Sequence, residues 1–459
     1  MPKQSNIILI FTDNQQAATL GCYGNSEIHT PHLDALSRKG VTFDNAFCPN
    51  GFCSPCRASV LTGKLPSQHG VHSWIDDRKS NEWPADWHAL DGLNTLPKAL
   101  KSKGYATALI GKYHLGQPTS PAEGVDNWVT LEDGHVRSFY RNKIFDNGEV
   151  YDQPGHSVDF FTDKGVAFIE EQTAANTPFF LYLPYPAPYG HWPATKETDE
   201  NRHTARYADC PMHSIPRKGL SKAAVDGFML RSSESSAHLD FSMLMRAPND
   251  LGTLRNFYSQ ISMVDDGVGK IIATLPSNLY RAAHSIPMIM HQNGVTVQGL
   301  RSKLMVSGMD VFATILDHTG VAQQEAGVPS RSLLPILTGG DLSDWGADAV
   351  FSEQEETRVI RTPKWAYFKR FDTVTTGFQD ELFDVENDVS ETLNLAGDPA
   401  FADIKAALDE QLTAYFEEYG QDHADLWKGG VPIQHSERKK LWREAWGDSW
   451  QPVYSYDAN

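Results

Sequence analysis

A chain of 459 residues is too long for a single small core, so its length predicts two domains or one large domain with an appendage. Its formal net charge of −18 argues against nucleic acid as a partner, and the one basic run, Arg438-Lys439-Lys440, is typical of a solvated helix face. No apolar run approaches membrane-spanning length, and five cysteines, an odd number, do not indicate a disulfide framework. Because Met1–Asn6 lacks the apolar segment of a signal peptide, we expect a cytoplasmic protein without membrane partners.

The first half of the chain alternates between strand and helix patterns. Continuous apolar runs predict buried strands, and periodic segments that stop at glycine predict helices between them. The predicted strands cover residues 5–11, 41–47, 106–110 and 178–183, and the predicted helices cover residues 31–39 and 96–103. This alternation indicates an α/β fold with a mostly parallel sheet flanked by helices. Polar residues follow several strand ends, where such sheets place their active sites.

The second half begins with a long helix and changes in character near Ala349. The apolar stripe of the long helix steps by three and four residues, through Leu254, Tyr258, Ile261, Val264, Val268 and Ile271. A strand over 286–290 and a helix over 310–316 follow, and after residue 349 the pattern indicates an antiparallel sheet and an amphipathic helix over 400–419.

These patterns divide the chain into three parts. Residues 1–348 are predicted to form the α/β domain, and residues 349–425 a smaller C-terminal subdomain with an antiparallel sheet and a helix. Residues 426–459 form a tail rich in aromatic and basic side chains. We expect this tail to pack on its own body or on a neighbouring subunit of a homo-oligomer.

The segment from Cys53 to Arg57, Cys-Ser-Pro-Cys-Arg, carries the most chemistry. Cys53 stands at a predicted helix start, where unpaired N–H groups and the helix dipole hold anions and activate a neighbouring nucleophile. Spacing alone leaves other interpretations open. Cys48, Cys53 and Cys56 have the spacing of an iron–sulfur ligand run, with Cys210 as a distant fourth ligand. Cys53 and Cys56 could also form half of a zinc site, or the thiols could be partly buried without any chemistry.

Together with other motifs, this segment resembles the Cys-x-Pro-x-Arg signature of the sulfatase family, in the alkaline-phosphatase-like superfamily. The resemblance covers nearly the whole chain. Its further motifs are Asn6–Asp13, Cys22–Asn25, Thr30–Asp34, Leu61–Pro66, Ile110–Gly116 (Ile-Gly-Lys-Tyr-His-Leu-Gly), Glu381–Asp388 and Glu391–Leu395. Within the family, the chain is similar to bacterial cytoplasmic arylsulfatases and phosphonate monoester hydrolases.

The resemblance implies a modified nucleophile and a metal ion. Cys53 would be oxidised to formylglycine by a formylglycine-generating enzyme, and the hydrated aldehyde would attack a small-molecule sulfate or phosphonate ester. Asp13, Asn14 and residue 53 would bind a divalent metal ion, with calcium expected and manganese or magnesium as alternatives.

The resemblance also implies catalytic roles for four further side chains. Arg57 would orient the hydrated formylglycine, and Lys112 and His114 would bind it together with the sulfate oxygens. His191, in the segment His-Trp-Pro, would contact the substrate or protonate the leaving group.

One family segment is missing from this sequence. In the family, the long helix leads into a strand that ends in Asp-His-Gly or Asp-Asn-Gly, the second pair of metal ligands. Here Leu275 is followed directly by Pro276–Arg281, which resembles the stretch before the next strand. The triplet Asp146-Asn147-Gly148 lies elsewhere and predicts a hairpin turn. We therefore expect an incomplete metal site and an empty position in the sheet.

Three classes of function remain open at this point. The leading hypothesis is a formylglycine-dependent, arylsulfatase-like hydrolase of sulfate monoesters, with a phosphonate or phosphate monoester hydrolase as the alternative from the same family. The second is a catalytically silent protein of the same fold that acts through binding or assembly. The third is an iron–sulfur protein that uses the four cysteines named above.

Overall fold

A computed structural model describes the chain over most of its length. The described residues are 4–75, 77–136, 138–189, 200–215, 251–274, 287–292, 295–321, 327–340, 342, 345, 349–371, 379–388, 391, 393–433 and 439–451.

The strands are β1 Ile7–Phe11, β2 Val41–Phe47, β3 Ala106–Ile110, β4 Asn127–Leu131, β5 Lys143–Asp146, β6 Glu149–Asp152, β7 Phe179–Pro184, β8 Met288–Met290, β9 Leu300–Ser307, β10 Val350–Gln354, β11 Thr357–Arg361, β12 Trp365–Arg370 and β13 Glu381–Asp384. The helices are α1 Pro31–Lys39, α2 Cys53–Thr62, α3 Pro66–His69, α4 Leu96–Lys101, α5 Ser157–Ala174, α6 Leu251–Thr274, α7 Asp310–Thr319, α8 Leu334–Thr338, α9 Ala402–Tyr419 and α10 Lys439–Trp446.

A six-stranded sheet forms the centre of the described structure, in the order β1-β7-β3-β4-β5-β6. Strands β1, β7, β3 and β4 are parallel, and β5 and β6 add an antiparallel hairpin at one edge. All residues of β1 and β7 are buried, which explains why both strands are continuous apolar runs. Asn147 and Gly148, both with positive φ, form the tight turn between β5 and β6. The predicted α/β fold and the predicted hairpin turn are confirmed.

The structure differs from the prediction in the position of β2. We expected this strand in the same sheet as β1, but it lies at the centre of a separate three-stranded sheet, in the order β8-β2-β9. Strand β9 is parallel to β2 and β8 is antiparallel to it. Periodicity identifies a strand but not its neighbours, because pairing is decided by contacts distant in sequence.

The two sheets border a common apolar cavity. Strand β1 pairs with β7 along one edge, and no strand within the described ranges pairs with its other edge. Ile7–Leu9 of β1 and Met290–Gln292, at the end of β8, line this cavity. The segment in which the sequence lacks a family strand, residues 275–286, falls outside the described ranges.

Helices α5 and α6 cover one face of the central sheet. They pack closely at Gly267, where an added Cβ would lie 2.6 Å from Thr162 Oγ1 and 3.2 Å from Val158 Cγ1. Asp265 of α6 accepts hydrogen bonds from the backbone N–H groups of His32 and Leu33, so its carboxylate satisfies the first turn of α1.

The C-terminal region has the predicted antiparallel sheet, in the order β10-β11-β12-β13, with α9 packed against it. The buried Arg358 pairs with Glu353 of β10 and with Asp425, which precedes the tail. In the tail, Trp442 is fully buried against Phe371, so the described part of the tail packs on its own body. A contact with a second subunit remains a prediction. No helix in the described part of the chain is long and apolar enough to span a membrane.

Candidate active site

Cys53 is the first residue of α2 and is half-buried. Phe52 before it is extended, with φ −94° and ψ 153°, so the chain turns into the helix at Cys53. Pro55 fits in the first turn because the N–H groups there have no partner within the helix. Gly63 ends the helix with φ +72°. The helix start predicted from the sequence is confirmed.

His114 lies against the Cys53 side chain. Its Nδ1 is 3.2 Å from Cys53 Sγ, and its Nε2 is 2.9 Å from the carbonyl oxygen of Ile75. Because a carbonyl oxygen only accepts hydrogen bonds, Nε2 carries the proton and the Nδ1 lone pair accepts from the thiol. Burial raises the pKa of Cys53, so the unmodified side chain is a neutral thiol. The imidazole is therefore placed to accept a proton from residue 53.

Lys112 and His114 reach the site through a close backbone approach at Gly111, directly after β3. Gly111 has φ +141°, and an added Cβ would lie 2.1 Å from the carbonyl oxygen of Pro184. The next residue, Lys112, donates its backbone N–H to the same oxygen at 2.8 Å. Only glycine allows the end of β3 and the end of β7 to approach this closely.

Asp13 joins the cationic side chains of the site. Its Oδ2 accepts from Lys112 Nζ at 2.7 Å and from Arg57 Nη2 at 3.1 Å, and Arg57 Nη1 donates to the Lys112 carbonyl oxygen at 2.7 Å. Both cations are fully buried. Burial raises the pKa of Asp13, but the ammonium of Lys112 and the guanidinium of Arg57 outweigh it and hold that pKa below its ordinary value. The carboxylate is therefore ionised, and the three charges leave one net positive charge beside residue 53.

His135 is a site residue that the sequence analysis missed. Its ring lies edge-on to His114 at 5.0 Å and to Tyr189 at 5.5 Å, and Lys112 Nζ lies 5.4 Å from the Tyr189 ring centre. Burial, followed by the charge of Lys112, lowers the pKa of His135, so its imidazole is neutral. His135 follows β4 in a segment without a motif, and only its position after a strand end could have indicated it.

Two predicted site residues remain, Asn14 and His191. Asn14 follows Asp13 with φ +62° and an exposed side chain. His191 lies outside the described residues, so its predicted contact with substrate stays a prediction. The structure thus brings together Cys53, Arg57, Lys112, His114 and Asp13.

Comparison with known protein families agrees with the resemblance seen in the sequence motifs. The Sulfatase family model matches residues 5–281, more than half of the chain. The chain belongs to the sulfatase family. A second model, N-sulphoglucosamine sulphohydrolase, C-terminal, matches residues 277–418, which include the C-terminal sheet and all but the last residue of α9.

Individual relatives of this sulfatase-family chain are distant in sequence. It is 22% identical to N-acetylglucosamine-6-O-sulfatase of Bacteroides thetaiotaomicron, over 92% of this chain and 88% of that protein. It is 25% identical to human N-acetylglucosamine-6-sulfatase, over 79% of this chain and 69% of that protein.

Solved structures show the same fold. A protein in complex with its substrate, D-glucosamine-2-N,6-O-disulfate, has a TM-score of 0.69 and 21% identity, covering 91% of this chain and 98% of the other. Phosphonate monoester hydrolase of Agrobacterium radiobacter has a TM-score of 0.66 and 18% identity, covering 91% of this chain and 96% of the other.

Sulfatases generally use a metal ion, but the described residues of this chain do not complete a site for calcium. Calcium takes six to eight oxygen ligands. Asp13 offers one carboxylate here, and its Oδ2 already accepts from Lys112 and Arg57. Among the described residues, no group of three or more His, Cys, Asp or Glu ligand atoms suited to one ion includes Asp13 or Cys53. The donor set predicted from the resemblance is therefore insufficient by itself.

One other group of ligand types has a structural role instead. His32, Asp265 and Asp266 approach one another closely, but Asp265 accepts from the first turn of α1. Asp266 pairs with Arg202 and His203. These carboxylates already have cationic or N–H partners, so the group is explained without a metal ion.

The iron–sulfur and zinc hypotheses are not supported by the described structure. Cys48 and Cys56 are close, with 3.9 Å between their sulfur atoms, but they form no three-ligand group with Cys53. Cys210 packs against the core between the central sheet and α5 and α6, whereas Cys48 and Cys56 belong to the core around α2. In the structure, the thiols of Cys48 and Cys56 lie side by side, whereas the Cys53 side chain contacts His114.

Proposed function

We propose that this protein hydrolyses sulfate monoesters with a formylglycine made from Cys53. The observation that carries the proposal is the contact between Cys53 and His114 beside the buried cations Arg57 and Lys112. Membership of the sulfatase family and the sulfatase relatives support it.

The charges of the site suit a sulfate ester. A sulfate group carries a negative charge that must be neutralised before a nucleophile can approach. Arg57 and Lys112 both pair with Asp13, whose single negative charge offsets only one of the two positive charges. The remaining positive charge favours an anion at residue 53 although the whole protein is strongly acidic.

His114 supplies proton transfer at the nucleophile. Formylglycine would add water to its aldehyde, and a hydroxyl group of that hydrate would supply the nucleophile that attacks the ester. His114 Nδ1 lies 3.2 Å from Cys53 Sγ, so the imidazole is placed to take the hydroxyl proton of the hydrated formylglycine that would replace the thiol. The hydrogen bond from Nε2 to Ile75 fixes the tautomer that this transfer requires.

For the substrate, we propose the 6-O-sulfate ester of an N-acetylated amino sugar. N-acetylglucosamine and N-acetylgalactosamine 6-sulfatases are among the relatives, each covered over about two thirds or more of its length. The test is sulfate release by protein produced together with a formylglycine-generating enzyme, with Cys53 conversion verified by mass spectrometry. The substrates are both 6-sulfated sugars, an aryl sulfate and a phosphonate monoester.

The panel has three informative outcomes. Preferred turnover of a 6-sulfated sugar supports the proposal. Preferred turnover of the phosphonate monoester would replace it with the alternative favoured by the phosphonate monoester hydrolase structure. Binding of sulfated sugars without turnover, at full conversion and with divalent metal added, would indicate a catalytically silent protein.

A further inference from the structure

Cys48 and Cys56 form a pair of thiols directly behind the nucleophile. Their sulfur atoms are 3.9 Å apart, in contact but not bonded. Cys48 follows β2 and is partly exposed, whereas Cys56 is 4% exposed in the first turns of α2. Cys56 lies between Cys53 and Arg57 in the sequence, so a change at Cys56 acts on two site residues.

We infer that Cys48 and Cys56 are a redox modification site that takes a low-molecular-weight disulfide as its oxidant. The thiolate of the more accessible Cys48 attacks one sulfur of the oxidant, forms a mixed disulfide and releases one small thiol. The thiolate of Cys56 then attacks the Cys48 sulfur and releases the second small thiol. Two protein thiols lose two electrons to the oxidant, and their two protons end on the two released thiols.

Hydrogen bonds hold the loop between the two cysteines in place. Asn50, between the two cysteines, donates to the Glu353 carbonyl oxygen at 2.6 Å and accepts from the Phe52 N–H at 2.7 Å. The connecting loop is therefore fixed on β10. A disulfide needs the sulfur atoms at about 2 Å, so we expect bond formation to draw the first turn of α2 towards Cys48.

This movement would lower the catalytic rate because it displaces site residues, although none of them is itself oxidised. Cys53 and Arg57 are one turn apart on α2, and their contacts with His114 and Asp13 are 3.2 Å and 3.1 Å. A misplacement of about 1 Å at a reacting group can cost about a hundredfold in rate. We expect oxidation to lower turnover by at least about tenfold and reduction to restore it.

The test uses the full chain after Cys53 conversion, incubated with oxidised glutathione and mapped by peptide mass spectrometry without reduction. We expect a Cys48–Cys56 disulfide in the wild type. We expect the same disulfide in the control variant Cys210→Ser, which removes a partly buried thiol elsewhere in the fold. We expect none in Cys48→Ser, whose turnover should not respond to the oxidant. Absence of this disulfide in the wild type, or a stable mixed disulfide at Cys48 that does not close, would overturn the inference.

The mapping does not depend on the proposed function. If the reduced protein has no turnover, hydrogen exchange of the backbone N–H groups in the first turns of α2 replaces the activity readout. A change on oxidation that is absent in Cys48→Ser supports the inference. Identical exchange in the bonded and reduced forms would contradict the effect on the site.

Discussion

Lys112 Nζ donates a hydrogen bond to Asp13 Oδ2 at 2.7 Å, although Asp13 follows β1 and Lys112 follows β3, with β7 between these two strands in the central sheet. The same oxygen also accepts from Arg57. Buried ion pairs of this kind are sensitive to the loss of one partner, because the remaining charge stays buried without compensation. This charged triad of Asp13, Arg57 and Lys112 leaves one net positive charge at the site.

Asp13→Asn should therefore destabilise the protein by about 3–5 kcal/mol, measured by urea unfolding. Lys112→Met should cost less, because Asp13 keeps its pairing with Arg57. The matched control is Glu123→Gln, which breaks an exposed pair with Lys98 and should change the unfolding free energy by less than about 1 kcal/mol. An Asp13→Asn effect as small as the control effect would show that the triad does not contribute to stability.

Replacement of His114 should affect the chemical step. His114→Gln removes the Nδ1 acceptor at residue 53, so we expect kcat to fall by about 10²–10⁴-fold with a smaller change in KM. The control is His318→Asn, on the last turn of α7, which should keep the wild-type kcat. Steady-state kinetics on enzyme with equal Cys53 conversion separates these effects. An unchanged kcat in His114→Gln would remove His114 from the proposed proton transfer.

Substitution of Gly111 tests whether the close backbone approach at this residue positions Lys112. Gly111→Ala places a Cβ against the Pro184 carbonyl oxygen, whereas Gly104→Ala has a positive φ but nothing within 4 Å of the added atom. Gly104→Ala should cost about 1 kcal/mol from backbone strain alone. Gly111→Ala should cost clearly more and should also lower kcat, since the backbone that carries Lys112 and His114 must move. Equal costs for the two variants in thermal unfolding would contradict this interpretation.

The lowered pKa of the buried His156 predicts that folding stability falls in acid. Its Nδ1 accepts from the Val158 N–H at the start of α5 and its Nε2 donates to Gln260. Burial lowers the pKa of His156 to about 4, from the ordinary value of 6.5. The unfolded chain therefore binds the proton first as pH falls below 6.5, and folding stability decreases until pH 4, by up to about 3 kcal/mol.

His156→Asn keeps an acceptor at the helix start and removes the titration, so it should flatten the stability curve between pH 6.5 and pH 4. His423→Asn, which replaces an exposed histidine, should leave the slope as in the wild type. Urea unfolding at several pH values measures both variants. An unchanged slope in His156→Asn would show that other groups account for the acid sensitivity.

Much of the site could be predicted because its residues lie in short motifs after strand ends. Asp13 follows β1, Lys112 and His114 follow β3, and Cys53 begins a helix, so the parallel sheet brings them together. His135 was not predicted, because its segment has no motif and no periodicity, and its position after β4 was the one signal that could have indicated its contact with His114.

Sequence patterns also failed where the outcome depends on distant contacts. The separation of β2 from the central sheet is decided by its pairing with β8 and β9, more than 200 residues away. The spacing of Cys48 and Cys56 was compatible with metal ligands, and only the contact between their sulfur atoms distinguishes a thiol pair.

The most direct test of the proposed function is the rate of sulfate release from N-acetylglucosamine 6-sulfate as a function of Cys53 conversion. Preparations with different converted fractions, quantified by mass spectrometry, are compared with Cys53→Ala. The proposed mechanism predicts a rate proportional to the converted fraction and no sulfate release by Cys53→Ala. A rate that does not depend on conversion, or no sulfate release at full conversion with divalent metal present, would contradict it.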